Sequence, residues 1–417
     1  MKQKIDVADL RIGMYIVDID RPWLDTPFLF QGFPIESQKD IDWVQRTCNY
    51  VYIDAQQPQS SILAGPPKIK PVRQSATEKA IRRLARKMPY RMQASFREEF
   101  KPARNIRFKA KAYLDNVFDA IRTGRNIDVA EAKQVVGSMV DSIARNPDAG
   151  LWFTQLRKKD EYTANHSLNV CVLTLVFGHH LNFTESVLNE LGLGALLHDI
   201  GKMHVPLQIL NKPGPLTEDE LMLVKQHPTF GAEILKNTPG VSPTVVDIAY
   251  CHHERAGGDG YPRGLKAAEI GLFSKMVAVV DVYDAITSNR VYHHGMSPSD
   301  ALRNMYHWQH KDFDESLVED FIQCLGIYPV GSVVQLDSGD IGIIMSDNKE
   351  HRLRPTVMLV LDEKRNPFFP MRIVNLANVG EGQSGSGGAI KKVFGPDECP
   401  FDLAQSILAD LPEASMA

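Results

Sequence analysis

Histidine is distributed very unevenly along this chain of 417 residues. Twelve of its thirteen histidines lie between His166 and His310, and His351 alone lies outside that interval. Histidine is a very common metal ligand and the side chain whose charge changes most readily near neutral pH. We therefore expect the chemistry of this protein in the middle segment, and other roles for the segments on either side.

Five short motifs in the middle segment place histidine or aspartate within or beside apolar runs. The residues concerned are His166, His198 with Asp199, His227, His252 with His253, and Asp281. A single histidine on an amphipathic helix is more often a core or surface residue than a ligand. Ionisable groups on buried helices, however, cost free energy unless they are paired, hydrogen-bonded or bound to a metal. The five motifs together therefore indicate a shared metal site.

The types of donor narrow the choice of metal. Imidazoles and carboxylates without cysteine favour iron or manganese, with nickel as an alternative, over structural zinc. Magnesium and calcium sites, which use oxygen ligands, fit less well. Seven ligand-type residues exceed what one open site needs, and a carboxylate such as Asp199 can bridge two ions. The pattern predicts two divalent transition-metal ions, an arrangement suited to phosphoester hydrolysis by a bridging hydroxide.

Apolar periodicity, charge and turn residues divide the chain into five segments. The predicted segments are a small α+β regulatory domain at 1–60, a basic helical connector at 61–125, a helical domain at 126–325, a small β subdomain at 326–378, and a flexible loop and tail at 379–417. Thr217 to Glu220 match a helix-capping box. Strands are expected at 330–336, 341–345 and 356–361. The predicted fold class is mainly α, with a small N-terminal α+β domain and a short C-terminal β appendage.

Charge and composition exclude several classes of protein. Residues 66–112 hold fifteen Lys or Arg against three Glu, but few aromatic residues for base stacking. A solvated helical connector that folds against an acidic neighbour or a second subunit is therefore favoured over a nucleic-acid or membrane-surface site. No apolar run reaches about 18 residues and no signal-peptide pattern opens the chain, so a membrane span is not expected. The five cysteines are scattered and form no CxxC, which favours a reducing, cytoplasmic location.

Several motifs resemble one family in order and spacing. They are HDIGK at 198–202, LNKPG at 210–214, HHERAGGDGYPRGL at 252–265, and the segment from Asp281 to Tyr292. Over about 150–325 the chain resembles the HD-GYP domain, a branch of the HD phosphohydrolase superfamily with a helical-bundle fold. The motifs DLRIGMY at 9–15 and PWL at 22–24 resemble the small uncharacterised domain that often precedes HD-GYP domains in bacteria.

The resemblance implies a bacterial phosphodiesterase that opens cyclic di-GMP to linear pGpG, and in some members continues to GMP. The metal ligands that it implies are His166, His198, Asp199, His227, His252, His253 and Asp281. Asp199 would bridge the ions, and Lys202, one helical turn past His198, would contact a phosphate oxygen.

The family pattern also assigns roles around the metals. Tyr261 is a candidate wall of the nucleotide pocket, although shaping of its own loop explains it about equally well. Arg290 is a candidate contact to phosphate or guanine. Asp160 and Asp284 are candidates to orient the ligand imidazoles.

Some relatives build a third metal position with a glutamate one helical turn before the first ligand histidine. Here that residue is Tyr162, and a neutral phenol is a poor ligand near pH 7. Two ions are therefore expected rather than three, unless an irregular helix start brings Glu161 into reach.

The resemblance also bears on partners and on rival functions. It implies signalling partners such as diguanylate cyclases, which would dock through the Gly-Tyr-Pro loop, and it leaves a homodimer open. One alternative is hydrolysis of another nucleotide, such as cyclic GMP-AMP or a nucleoside polyphosphate. The other is a cyclic di-GMP sensor or scaffold without turnover, which we disfavour because every main ligand is present.

Overall fold

Two hydrophobic cores organise the described part of the chain. The computed structural model describes residues 2–20, 33–35, 38–54, 80–81, 83–86, 90–155, 162–288, 295–348, 351–378, 389–396 and 398–399. The smaller core draws on residues from Leu10 to Ile53, and the larger one on residues from Phe100 to Leu376. The predicted fold class, mainly α with a β-containing unit at each end, is confirmed. The predicted domain boundaries stay predictions.

The N-terminal unit is a four-stranded sheet with one helix. Its elements are β1 (Lys2–Asp6), β2 (Tyr15–Ile19), β3 (Phe33–Pro34), α1 (Gln38–Thr47) and β4 (Tyr50–Asp54). The strands pair antiparallel in the order β1-β4-β2-β3. Ile16, Val44 and Val51 are fully buried, so the sheet packs on α1 and makes a core of its own.

The middle of the chain is helical. Its first helices are α2 (Phe96–Arg122), α3 (Val129–Arg145), α4 (Pro147–Thr154), α5 (Tyr162–His180) and α6 (Glu185–Leu197). A 3-10 helix (Ile200–His204) is followed by α7 (Leu207–Leu210), α8 (Glu218–Val224), α9 (His227–Lys236), α10 (Pro243–Cys251), α11 (Leu272–Thr287), α12 (Pro298–Asp312) and α13 (Glu315–Leu325). The capping box of Thr217 and Glu220 is confirmed, with both reciprocal hydrogen bonds formed.

Helix α5 is apolar over most of its circumference and lies at the centre of the bundle. Leu168, Val170, Leu175 and Phe177, which point in several directions from its axis, are all fully buried. A helix this apolar is stable only when other helices surround it, and α5 packs against α4, α6 and α11. The polar residues His166, Ser167 and Asn169 of this helix are therefore held deep inside the bundle.

Helix α2, from the basic connector, joins the same core. Its apolar stripe is buried, and the ring of Phe100 lies 5.2 Å from the Trp152 ring and 4.8 Å from the Phe153 ring. Buried Glu99 accepts two hydrogen bonds from the Arg145 guanidinium, of 2.7 and 2.8 Å. The positive charges of α2 thus lie on a helix that is anchored to the bundle along one face.

The C-terminal appendage is a five-stranded antiparallel sheet. Its strands β5 (Val333–Leu336), β6 (Ile341–Ser346), β7 (Thr356–Leu361), β8 (Pro367–Asn375) and β9 (Ile390–Val393) lie in the order β8-β7-β6-β5-β9. The three predicted strands are present, while β8 and β9 were not predicted. Within the described parts of the chain, none of the helices combines the length and hydropathy that a membrane crossing requires.

Candidate metal centre

The sequence motifs converge because two helices begin and two helices end at the same place, beside the interior of α11. His166 lies in the first turns of α5, His198 and Asp199 directly follow α6, and His227 is the first residue of α9. His252 follows the last residue of α10, and Asp281 lies within α11. All six side chains are buried. Residues that are up to 115 positions apart in sequence therefore share one buried centre.

Gly201 allows two of these elements to come together. A Cβ atom at this position would lie 1.9 Å from the backbone oxygen of His227 and 2.4 Å from the backbone nitrogen of Gly231. Because both clashing atoms are backbone, no rotamer change can relieve the contact. Glycine in the HDIGK motif thus lets the 3-10 helix lie directly on α9, which brings Asp199 to His227.

The two carboxylate oxygens of Asp199 face different histidines. Oδ1 lies 3.2 Å from His227 Nε2 and 3.7 Å from His252 Nε2. Oδ2 lies 3.6 Å from His166 Nε2 and 3.5 Å from His198 Nε2. The donor atoms form two groups that share Asp199, one with His227, His252 and His253 and the other with His166 and His198, each within 4.8 Å. A carboxylate placed in this way can contact two cations.

Asp281 lies close to histidines of both groups. Its Oδ1 is 2.9 Å from His166 Nε2 and 4.0 Å from His198 Nε2. Its Oδ2 is 3.7 Å from His253 Nδ1. A second carboxylate therefore also reaches toward both donor groups.

Three of the imidazoles are oriented by nearby backbone. Nδ1 of His198, His227 and His252 is hydrogen-bonded to the carbonyl oxygen three residues earlier, at 2.7, 2.7 and 2.9 Å. A carbonyl can only accept, so each Nδ1 carries the proton and each Nε2 lone pair points into the centre. His166 differs, because its Nδ1 lies 2.7 Å from the Asp284 carboxylate.

Burial and charge set the protonation of the centre. Burial lowers the pKa of His198 to about 3 and also lowers the pKa of His227 and His253. Burial alone would lower the pKa of His166, but hydrogen bonds to Asp281 and Asp284 raise it to about 9.

The two carboxylates of the centre remain ionised. Burial would raise the pKa of Asp199, but Lys202 and the imidazoles hold it well below its ordinary value. The pKa of Asp281 is likewise held well below its ordinary value, because His166 and the other imidazoles outweigh its burial. The centre therefore offers anionic carboxylates and mostly neutral imidazoles, which is the state that binds a cation.

Two atoms of the centre lack the partners that they need. Nε2 of His198 and Oδ1 of Asp199 are buried and have no hydrogen-bond partner among the described residues. A buried polar atom left unsatisfied costs about 1–3 kcal/mol. A cation between His198 and Asp199 would remove this cost, so the residues present fit a metal.

Lys202 and Tyr261 lie at the edge of the centre. The ammonium of Lys202 contacts Oδ2 of Asp199 and is partly exposed. The ring of Tyr261 lies 4.7 Å from the ring of His253, and Lys225 Nζ lies 5.5 Å from the same tyrosine ring. Both residues thus lie beside the buried histidine and aspartate side chains and are partly exposed to solvent.

Glu254, which the sequence reasoning assigned no role, holds the Gly-Tyr-Pro loop. Its buried carboxylate accepts hydrogen bonds of 2.8 Å from the backbone N–H groups of Arg263 and Leu265. The backbone of Tyr261 donates to the carbonyl of His253, at 3.2 Å. A carboxylate residue directly after the adjacent pair His252 and His253 was the sequence signal that could have indicated this role.

Some of the site residues proposed from the sequence are not among the residues that the structure describes. Asp160, Glu161 and Arg290 lie outside the described residues, and so does the side chain of Tyr162. Asp284 contacts His166 as stated above. Sequence reasoning missed Asn169, whose amide donates a 3.0 Å hydrogen bond to Asp284. Its position three residues after His166 on one helix was the signal that could have found it.

Comparison with known proteins gives two family matches. The HD domain matches residues 153–317, and a domain of unknown function (DUF3391) matches residues 2–132. The chain is 36% identical over 387 residues to a cyclic di-GMP phosphodiesterase of Pseudomonas aeruginosa, and the match covers 91% of this chain and 90% of the relative.

Other relatives match shorter parts of the chain. A cyclic di-GMP phosphodiesterase of Thermotoga maritima is 38% identical over 40% of this chain and 45% of its own length. A 3′3′-cGAMP-specific phosphodiesterase of Vibrio cholerae is 39% identical over 36% of this chain and 34% of its own length. Among solved structures, an HDG"Y"P protein from Bdellovibrio bacteriovorus matches with 20% identity and a TM-score of 0.46, covering 78% of this chain and 99% of that one.

Proposed function

Because this chain belongs to the HD-GYP family, we propose that it is a metal-dependent phosphodiesterase that hydrolyses cyclic di-GMP to linear pGpG. The relative that matches 91% of the chain is a cyclic di-GMP phosphodiesterase. The observation that carries the proposal is the position of Asp199, whose two oxygens face two separate groups of histidines. This arrangement suits a reaction in which two cations act on one phosphodiester.

The proposed metal ligands are His166, His198, Asp199, His227, His252, His253 and Asp281. We propose iron or manganese as the natural metal, with nickel as an alternative, because the donors are imidazoles and carboxylates. We propose two ions because the donor atoms form two groups. When bound, the ions would supply Lewis acidity and lower the pKa of a water molecule.

The protein side chains have separate tasks in the proposed hydrolysis. The water gives up a proton and its oxygen forms a bond to phosphorus, while the bond from phosphorus to O3′ breaks and O3′ takes up a proton. Lys202 would donate to a non-bridging phosphate oxygen, where negative charge develops in the transition state. Its contact with Asp199 supports this role, because it holds the ammonium beside the metal-binding carboxylate.

The substrate pocket would extend from the metals toward the Gly-Tyr-Pro loop. Tyr261 is proposed as a wall for the nucleotide, supported by its position over His253. Arg290 remains a proposed phosphate or guanine contact, and Asp160 a proposed support for an imidazole, on the sequence pattern alone.

Docking of a diguanylate cyclase through the Gly-Tyr-Pro loop remains a proposal, and so does a homodimer. The five cysteines are scattered along the chain and form no CxxC pair, which supports the proposed cytoplasmic location.

A second candidate substrate is 3′3′-cyclic GMP-AMP, because one relative is specific for it. The test is a substrate panel with the purified full-length chain, loaded anaerobically with Fe²⁺ or Mn²⁺. Chromatography should detect pGpG from cyclic di-GMP as the main product, and should also show whether GMP follows. Faster hydrolysis of cyclic GMP-AMP would reassign the substrate. Tight binding of cyclic di-GMP without any product would instead indicate a sensor.

A further inference from the structure

A chain of hydrogen bonds connects helix α2 to the metal centre. The guanidinium of Arg107 donates to Oδ1 of Asn169 at 2.9 Å, and Nδ2 of Asn169 donates to Oδ1 of Asp284 at 3.0 Å. The other oxygen of Asp284 lies 2.7 Å from Nδ1 of His166. Arg107, Asn169 and Asp284 come from three different helices. Their hydrogen bonds thus form a continuous series that ends at His166, a proposed metal ligand.

The middle position of this series of hydrogen bonds requires a side chain that can both donate and accept, and Asn169 occupies it. Asn169 is buried and must accept from a cation on one side and donate to a carboxylate on the other. An amide can do both at once, and its second N–H also donates to the carbonyl of Thr154, at 3.3 Å. The two neighbours therefore determine the orientation of the amide.

Arg107 lies in surroundings that do not suit a merely solvated residue. It lines a small cavity with the apolar side chains of Ile106, Met139, Phe153 and Val172. A charged group beside apolar walls costs free energy unless a polar partner offsets the cost. Asn169 supplies such a partner. Its amide accepts from the Arg107 guanidinium and donates to the buried carboxylate of Asp284, so it connects the two charged groups.

His166 needs these hydrogen bonds because it is oriented differently from three other imidazoles of the centre. His198, His227 and His252 are oriented by carbonyls three residues earlier, so their local helix geometry is sufficient. His166 is oriented by Asp284 from α11, a different helix. Its orientation therefore depends on the groups that hold Asp284 in place.

We infer that Arg107 and Asn169 are positioning residues that set the orientation of His166 for metal binding by holding Asp284. This inference rests on the proposed metal site. Arg107 lies within the segment that matches the domain of unknown function, residues 2–132. That segment thus contributes a side chain to the support of the metal centre, in addition to its own N-terminal sheet.

The test compares metal binding by full-length variants with the wild-type protein. Arg107→Met removes the charge and donors but keeps an unbranched side chain against the apolar wall. Lys109→Met is the matched control, because Lys109 is exposed on the same helix and the charge change is identical. Fe²⁺ and Mn²⁺ affinities are measured by titration, bound metal by elemental analysis, and the melting temperature without metal reports folding.

Arg107→Met and Asn169→Ala should each weaken affinity for at least one ion by about 10–100-fold, the usual effect of losing a group that orients a ligand. Because both act through Asp284, the double variant should be little weaker than either single variant. Lys109→Met should bind like wild type. Wild-type affinity in either folded variant would overturn the inference, and so would fully additive effects. Failure of the wild-type chain itself to bind metal would instead overturn the proposed function.

Discussion

Gly201 lies so close to His227 that a side chain would not fit between them, because a Cβ atom would be 1.9 Å from the carbonyl oxygen of His227. This contact joins the 3-10 helix that follows Asp199 to the start of α9. The backbone packing of two short elements thus determines the separation of two proposed metal ligands.

Gly201→Ala should therefore separate Asp199 from His227 and abolish most metal binding. The added methyl group would force the backbone apart, and we expect a melting temperature several degrees lower, as for other overpacked sites that cost about 1–3 kcal/mol. Gly214→Ala is the control, because a Cβ at Gly214 meets no atom within 4 Å. Elemental analysis and thermal melting of both variants provide the check, and full metal content in Gly201→Ala would contradict it.

Asp199→Ala should lose nearly all activity and most bound metal, because the proposed bridge between the two donor groups is removed. The fold should survive, since packing of the apolar helix faces supplies most of its stability. Elemental analysis and circular dichroism measure the two effects separately. Asp219→Ala removes an equal charge from an exposed position and should retain metal and activity. Wild-type metal content in Asp199→Ala would show that Asp199 does not bridge.

Lys202→Ala should lower kcat by about 10²–10³, the usual effect of losing one group that stabilises transition-state charge. Metal content should remain unchanged, because an ammonium cannot be a ligand. The comparison is Lys212→Ala, which removes a lysine paired with Glu220 instead of Asp199. Steady-state kinetics of the two metal-loaded variants and the wild-type protein measure the change in kcat. An unaltered kcat would remove Lys202 from the proposed mechanism.

Glu254→Gln should loosen the Gly-Tyr-Pro loop without emptying the metal centre. The amide oxygen can accept from one of the two backbone N–H groups of Arg263 and Leu265, and the other loses an acceptor at a cost of about 1–3 kcal/mol. We expect KM for cyclic di-GMP to rise by about tenfold, with full metal content. A loss of metal at unchanged KM would assign Glu254 to the metal centre instead.

Metal affinity should rise with pH over the neutral range. Without metal, the pKa of His166 is raised to about 9, so this imidazole carries a proton at pH 7 that a cation must displace. Each unit of pH increase should therefore strengthen binding by up to about tenfold until pH approaches 9. His198, with its pKa lowered to about 3, has no proton to lose in this range. Titrations between pH 6.5 and 8.5 measure the slope, and a flat profile would contradict the assignment of His166.

Much of the candidate site could be predicted from local sequence. The metal-type residues, their order and the turn at Thr217 to Glu220 depend on short motifs, and short motifs specify local hydrogen bonds. Family membership, confirmed by the relative that spans 91% of the chain, follows from the same motifs. The roles of individual site residues stay predictions, and Arg290 and Asp160 lie outside the described residues.

The sequence by itself determined the helical bundle, the two β-containing ends and the set of residues able to bind metal, because periodicity and capping act over a few neighbouring positions. Only the tertiary structure decided that Asp199 turns one oxygen to each group of histidines, that Glu254 holds the loop, and that Arg107 reaches His166 through Asn169 and Asp284. Arg107 and Asn169 are 62 positions apart. Contacts over such distances form when helices pack, and packing depends on side-chain shapes across the whole core and not on any local pattern.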